Sequence, residues 1–282
     1  EKILFSDNIF LYPNGKEKAF NLTYDDGIYY DYKFVELLNK YNLKGTFNLN
    51  SKLMKENFSW THEIGKIIKR ISPQEAVCLY KGHEVASHTL THPYMNNLTK
   101  KEILKELIDD KKNLEEIFKK EILGFAVPFD FYSKEISECV KETGFEYGRI
   151  SEESNSWIPS EDYYFWKASI IHFNLNLENF VNEFIKTNDE LALCQIVGHS
   201  YDLEVENKWN LIENIFKKIS ENKNILPMTN IEIIKYLKAI RSVKISENKI
   251  INNSDLELWF EVDGKKISVQ PKKEFFIKWD NV

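Results

Sequence analysis

Two patterns alternate along this chain. Short runs of strand-forming residues at positions 19–24, 45–50, 83–87, 122–127, 145–150, 168–172, 193–197 and 224–228 are separated by stretches whose apolar residues recur at helical spacing. Phe34, Leu37, Leu38 and Tyr41 form one such stripe. Other helices announce their starts. Ser72, Pro73 and Glu75 supply an N-cap, a first-turn proline and a reciprocal capping glutamate, and Gly82 can close that helix. Thr99 with Glu102, and Thr229 with Glu232, repeat the capping box ahead of apolar runs. We read these stripes as core-packing faces. Regular strand-helix alternation predicts an α/β fold built on a parallel sheet, open or closed into a barrel.

From about Arg241 the rhythm changes. The stretch LELWFEVDGKKISV alternates with period two around Asp263-Gly264, which predicts a hairpin, and no helical pattern follows. The expected organisation is a main domain over 1–241 with a small β appendage, 242–282, packed on it, because so few residues rarely hold a core alone.

Composition narrows the class. The 282 residues are 43% apolar and 14% aromatic, ample for a packed core. A net charge of -6 without a clustered basic face excludes nucleic acid as an expected partner. No run approaches the roughly 20 apolar residues that cross a bilayer, so no membrane span is expected. Cys78, Cys139 and Cys194 are too few and too scattered for a disulfide framework. Together with the lack of a leader-like start, they lean the expected location towards the cytoplasm rather than secretion. Richness in Lys, Ile, Asn and Glu suggests an AT-rich bacterial genome.

The candidate chemistry lies where strands end. The segment LTYDDG starts like a buried strand and finishes on Asp25 and Asp26, whose charges are unfavourable within one. His88 and His92, four apart in ASHTLTHP, follow another strand run; Pro128-Phe129-Asp130 and Gly198-His199-Ser200 follow two more. In a parallel α/β barrel all such ends share one face. Singly, each grouping has a bland reading: Asp25 as a turn cap, and the histidines as structural residues. Converged, two imidazoles and one carboxylate make a three-ligand site for zinc or a similar divalent ion. Such an ion acidifies a water whose proton the second carboxylate can take, while His199 is placed to protonate a leaving group. The reaction class is metal-assisted hydrolysis of an amide or ester.

TYDDG, HEVASHTLTHP, FAVPFD and GHSYD resemble, in order and spacing, the motifs of the NodB-homology polysaccharide deacetylases, carbohydrate esterase family 4, over about residues 18–240. The resemblance implies an irregular, often seven-stranded (β/α) barrel that removes N- or O-acetyl groups from a carbohydrate and releases acetate. It implies Asp25 as catalytic base, Asp26, His88 and His92 as ligands of one divalent ion (zinc first, cobalt or nickel next), the Phe129 N–H as an oxyanion donor, and His199 as general acid.

The third motif departs from the common F-R-P-P-Y-G. It reads Phe125 to Asp130 without an arginine, and is similar instead to a bacterial branch with F-A-Y-P-Y-G and G-H-S-Y segments. We expect Arg149 to replace the missing arginine beside Asp25 and Trp166 to wall the sugar or acetyl group. Tyr94, Pro128, His172 and Tyr201 complete the expected substrate-binding set. Two other functions fit the same residues: hydrolysis of a small non-sugar amide, and a catalytically silent carbohydrate-binding protein. The sequence leaves the sugar and the oligomeric state open.

Overall fold

A computed structural model describes residues 9–129, 131–246 and 248–277. Its main sheet is made of seven parallel staves: β1 (Lys18–Asp25), β2 (Gly45–Leu49), β3 (Glu84–Ser87), β4 (Gly124–Ala126), β5 (Tyr147–Glu153), β6 (Trp166–Ala168, continued by Ile170–Ile171) and β7 (Ala192–Gly198). They stand side by side in chain order, and β7 returns to pair with β1 from Ala192↔Lys18 to Gly198↔Tyr24. β6 is the closing stave. Its first half pairs with β5, its second half pairs with β7, and between them Ser169 N donates to Gln195 O at 3.0 Å. The sheet is thereby a nearly closed (β/α) barrel, as the motifs lead one to expect.

Both faces of β1, β2, β3, β4 and β7 are buried, but they differ in kind. On β1, Phe20, Leu22 and Tyr24 pack outward against helices, with Tyr24 stacked on Phe34 at 3.9 Å. Each such ring removed from water contributes about 1.5–3 kcal/mol. The alternate residues face a polar lumen: Gln195 Nε2 donates to Asn21 and to Asn230, at 3.0 and 2.9 Å, and Asn48 Nδ2 donates to Thr23 Oγ1 at 2.9 Å. Most of these groups are hydrogen-bonded to one another, while Asn48 Oδ1 and Gln195 Oε1 are buried without a partner among the described residues.

The strand Ile225–Pro227 lies beside the first residues of β1, and helix Asn230–Arg241 starts beneath the barrel. Asn230 N donates to Thr46 Oγ1 at 2.9 Å and Ile231 N donates to the buried Glu84 at 2.8 Å, so this helix start plugs the N-terminal end of the staves. All three expected capping boxes form, at Ser72–Glu75, Thr99–Glu102 and Thr229–Glu232. Each such cap is worth about 1 kcal/mol.

The predicted hairpin forms from Leu258–Val262 and Lys265–Val269, turning through Asp263 (φ 50°) and Gly264 (φ 70°). Two consecutive left-handed residues match the right-handed twist of the strands, which is why Asp-Gly marks the turn. Phe10–Leu11, from the other end of the chain, adds a third strand at Phe10↔Phe260. A second small sheet joins Lys244–Ser246, Lys249–Ile251 and Glu274–Phe276. Leu258, Phe260 and Ile250 bury against Ile233, Leu237 and Ile240, and Tyr236 Oη donates to Leu11 O at 2.6 Å. These sheets therefore sit on the plugging helix, at the barrel end opposite Asp25. Among the described residues no helix is long and apolar enough to cross a membrane.

Candidate active site

The end of β1 divides the two carboxylates. Asp26 (φ 83°) and Gly27 (φ 62°) are both left-handed, so the chain turns sharply after Asp25 and the neighbours leave in different directions. A Cβ at position 27 would lie 2.6 Å from Leu49 Cδ2, so the turn requires glycine for room as well as for conformation.

Asp25 is held from the lumen side. Arg149, on β5 and fully buried, donates Nη2 to its Oδ1, and Asn48 Nδ2 donates to the same oxygen at 2.8 Å. Burial pushes the Asp25 carboxyl up, but Arg149, then His88 and His199, overcome that and hold it below its ordinary value.

Asp26 faces the histidines. Its Oδ1 lies 3.4 Å from His92 Nε2 and 3.8 Å from His88 Nε2, and one ligand atom from each of the three residues falls within 4.8 Å of the others. His88 Nδ1 stands 2.8 Å from Ala126 O, which makes it the N–H and leaves the Nε2 lone pair for an ion. Burial pushes His88 down to about 4 and lowers His92, so both imidazoles are neutral near pH 7. One carboxylate oxygen with two neutral imidazoles fits zinc, cobalt or nickel, with positions left for water or substrate.

The histidine loop is itself strained. Thr89 (φ 72°) and His92 (φ 57°) are non-glycine residues in the left-handed region, and Thr89 is β-branched. Asn50 Nδ2 ties the loop down at His88 O (2.5 Å) and Thr89 O (2.9 Å). Arg70 then joins the two halves of the site. It donates to Asn50 Oδ1 at 2.8 Å and to Asp26 O, and its Nη2 lies 3.5 Å from Asp26 Oδ1. Burial opposes ionisation of Asp26; Arg70 first, then His199 and the other histidines, keep its carboxyl well below the usual range.

His199 follows β7. Its Nε2 lies 3.7 Å from Asp26 Oδ2 and its Nδ1 3.1 Å from Asp202 Oδ2. Burial acts against its charge, but the Asp202 bond and then the Asp26 and Asp25 carboxylates raise it to about 9. It therefore carries a proton at neutral pH.

Asp25, Asp26, Arg70, His88, His92 and His199 line a cleft of about 670 Å³ together with Phe58, Trp60, Phe129, Phe173 and Tyr201, while the fully buried Arg149, Asn48 and Asn50 support it from beneath. Of the expected substrate residues, Tyr201 is in this lining, and Tyr94 stands at its rim, stacked on Phe129 at 3.9 Å. Phe129 has φ 57° and its carbonyl accepts from Ser151 Oγ at 2.8 Å. Pro128 is buried and outside the lining, and Asp130 lies outside the described residues. Trp166 and His172 are not in the cleft. Trp166 is 1% exposed and packs edge-on to Tyr147 at 5.5 Å; it starts the closing stave β6 and points into the core below. His172 is 2% exposed, behind His199.

Arg70, Asn48, Asn50 and Asp202 were not singled out from the sequence. Arg70 had no sequence signal: in Ile67, Ile68, Lys69, Arg70 burial alternates out, in, out, in while residue type does not, with Ile67 exposed and Arg70 buried. The hairpin of Ser59–Thr61 and Ile67–Lys69 that creates this alternation lies outside the barrel rhythm and went unpredicted.

Residues 12–148 match the family described as polysaccharide deacetylase. The peptidoglycan-N-acetylglucosamine deacetylase of Bacillus cereus is 26% identical over 136 residues, 48% of this chain and 56% of that protein. This chain spans about half the length of the curated relatives it matches. By structure, a family 4 carbohydrate esterase from Streptomyces lividans, in complex with acetate, superposes with a TM-score of 0.51 at 16% identity, over 75% of this chain and 92% of that one. The wild-type CE4 pseudoenzyme BA3943 of Bacillus anthracis gives 0.51 at 18%, over 79% and 66%. An esterase and a pseudoenzyme at equal distance speak for the fold and leave activity to the site. The likeness to polysaccharide deacetylases that the motifs carry is thus met in sequence and in fold.

Proposed function

We propose that this relative of the polysaccharide deacetylases hydrolyses N- or O-acetyl groups from a carbohydrate and releases acetate. The observation that carries the reading is the division of the aspartate pair: Asp25 is bound by Arg149, while Asp26 faces His88 and His92. A base and a metal ligand need these two different settings.

Asp26, His88 and His92 hold the divalent ion, with zinc favoured and cobalt or nickel as alternatives. When bound, the ion polarises the acyl carbonyl and acidifies water. Asp25, kept ionised and aimed by Arg149 and Asn48, takes the proton of the attacking water. The Phe129 N–H, at its left-handed turn on the cleft edge, donates to the developing oxyanion. His199 enters the cycle protonated and gives its proton to the departing nitrogen or oxygen. The faces of Trp60, Phe129 and Tyr201 suit the apolar side of a sugar ring. The likeness to the peptidoglycan-N-acetylglucosamine deacetylase of Bacillus cereus supports an N-acetylated sugar. A silent binding protein is suggested by the missing motif arginine and the altered third motif; the hydrogen bond from Arg149 to Asp25 supports turnover against the first of these.

The test measures metal content and acetate release together, for the parent, Asp25→Ala and His88→Ala, on acetylated chitooligosaccharides and a small acetyl ester. The expected pattern is about one metal in the parent, loss of metal in His88→Ala, and retained metal without turnover in Asp25→Ala. Metal uptake with no turnover of either substrate by the parent reduces the reading to a shared fold.

A further inference from the structure

A second histidine lies behind His199, and the mechanism above leaves it unused. The His172 ring sits between two partners: Tyr24 Oη is 2.9 Å from its Nδ1, and Asp202 Oδ2 is 3.0 Å from its Nε2. The same carboxylate oxygen is 3.1 Å from His199 Nδ1. A carboxylate only accepts, so the nitrogen of each histidine that faces Asp202 is an N–H. A neutral imidazole has one donor and one acceptor, and Nδ1 of His172 therefore accepts from the Tyr24 hydroxyl. That one assignment satisfies the Tyr24 hydroxyl, both nitrogens of His172 and His199 Nδ1, and leaves His199 Nε2 free to face the cleft.

The surroundings are built to hold this ring. A Cβ at Gly198 would lie 2.4 Å from His172 Nδ1, so glycine in the GHSYD motif leaves space that the imidazole fills. Tyr24 is fixed by its stack on Phe34, and His172 N donates to Val197 O at 2.9 Å. His172 is not exposed to the cleft and cannot touch a substrate there. We propose that His172 is a positioning residue: by clamping Asp202 it fixes the tautomer and aim of His199, so that His199 presents Nε2 to the cleft.

This rests on His199 as the proton donor of the proposed reaction, so the test has one arm with turnover and one without. With turnover, His172→Phe lowers kcat by about tenfold to a hundredfold and leaves KM and metal content unchanged. His172→Gln, whose amide can still donate to Asp202, recovers most of that loss. The double variant His172→Phe/Asp202→Asn is no slower than Asp202→Asn alone, since both act through one bond. A His172→Phe enzyme within twofold of the parent, or losses that multiply, overturns the proposal.

Without turnover, nitrogen NMR of the zinc-loaded, histidine-labelled protein shows His172 neutral, protonated at Nε2 and bare at Nδ1. In His172→Phe the Nδ1–H signal of His199 is lost to exchange. An Nδ1–H tautomer or an imidazolium at His172, or an unchanged His199 signal in His172→Phe, overturns the proposal even in an active enzyme. A parent that releases no acetate but gives the stated spectra removes the deacetylase reading and leaves the clamp standing.

Discussion

Arg149 donates to Asp25 Oδ1 across 124 positions of chain, from the middle of β5 to the end of β1. Arg149 lies on the stave after the third motif and enters from the lumen, and we propose that it serves for the arginine which that motif lacks. Arg149→Ala is expected to lower kcat by about tenfold to a hundredfold with metal content unchanged, since Asp25 loses the guanidinium that aims it while Asp26, His88 and His92 are untouched. Because the pair is buried, removing one member also costs about 3–5 kcal/mol of stability. Steady-state kinetics, metal analysis and denaturant unfolding check this together. An Arg149→Ala enzyme with parental kcat removes Arg149 from the mechanism.

Arg70 stands to Asp26 as Arg149 stands to Asp25, and it also holds Asn50, which ties down the strained loop at Thr89. Arg70→Met leaves Asp26 and the loop free to relax. The expected outcome is a divalent-ion affinity about tenfold to a hundredfold weaker, read by competition with a chromophoric chelator. Unchanged affinity means that the His88, His92 and Asp26 geometry is kept by the loop alone.

The caps, the barrel and the site face were legible because each is written locally. Ser72, Thr99 and Thr229 announce their helices within four residues, and every chemical motif follows a strand run. What escaped depends on direction within a stave. In β6 the pattern Trp166, Lys167, Ala168 runs buried, exposed, buried, which sets the indole on the inner face but does not reveal that it turns into the core beside Tyr147 rather than towards the cleft. Arg70 escaped because it lies on an insertion between barrel elements, and Asp202 because its task appears only when His172 and His199 are brought to one oxygen.

Two tryptophans make opposite predictions on this account. Trp60 lines the cleft and lies over Arg70, 5.4 Å from ring centre to guanidinium. Trp60→Ala is expected to raise KM for an oligosaccharide severalfold, with little loss of stability. Trp166→Phe is expected to leave KM unchanged and to cost about 1–2 kcal/mol in unfolding, since it opens space in a closed core. The reverse pattern restores Trp166 as a substrate wall.

The basic limb of the pH–rate profile reports His199. Its proton is needed for the leaving group, and the imidazole is raised to about 9 by Asp202 first and by Asp26 and Asp25 after it. A cation on Asp26 weakens that carboxylate's share, so activity is expected to fall as pH rises, with a midpoint at or below about 9. Asp202→Asn removes the strongest remaining support and moves the limb to lower pH. A limb that does not move in Asp202→Asn assigns the proton to another group.

Stability carries a separate pH signature, away from the chemistry. Asp110, on helix Lys100–Phe118, is fully buried and accepts from Ser51 N at 2.7 Å and Ser87 Oγ at 2.6 Å, pinning the ends of β2 and β3 to the helix. Burial raises its carboxyl to about 7, far above its unfolded value. A raised acid favours folding only while protonated, so its contribution is complete below about pH 4, declines as pH rises, and is gone above about pH 7. Asp110→Asn keeps the shape and removes the proton. The parent should therefore lose stability relative to the variant by up to about 1.4 kcal/mol per pH unit between those limits. Glu84 and Asp31, also raised to about 7, titrate in both proteins and cancel in the difference. Urea unfolding of the two proteins at pH 5 and pH 8 decides the matter. A gap that is constant or of the opposite sign shows that Asp110 stays ionised in its pocket, with the two serine donors overcoming the cost of burial.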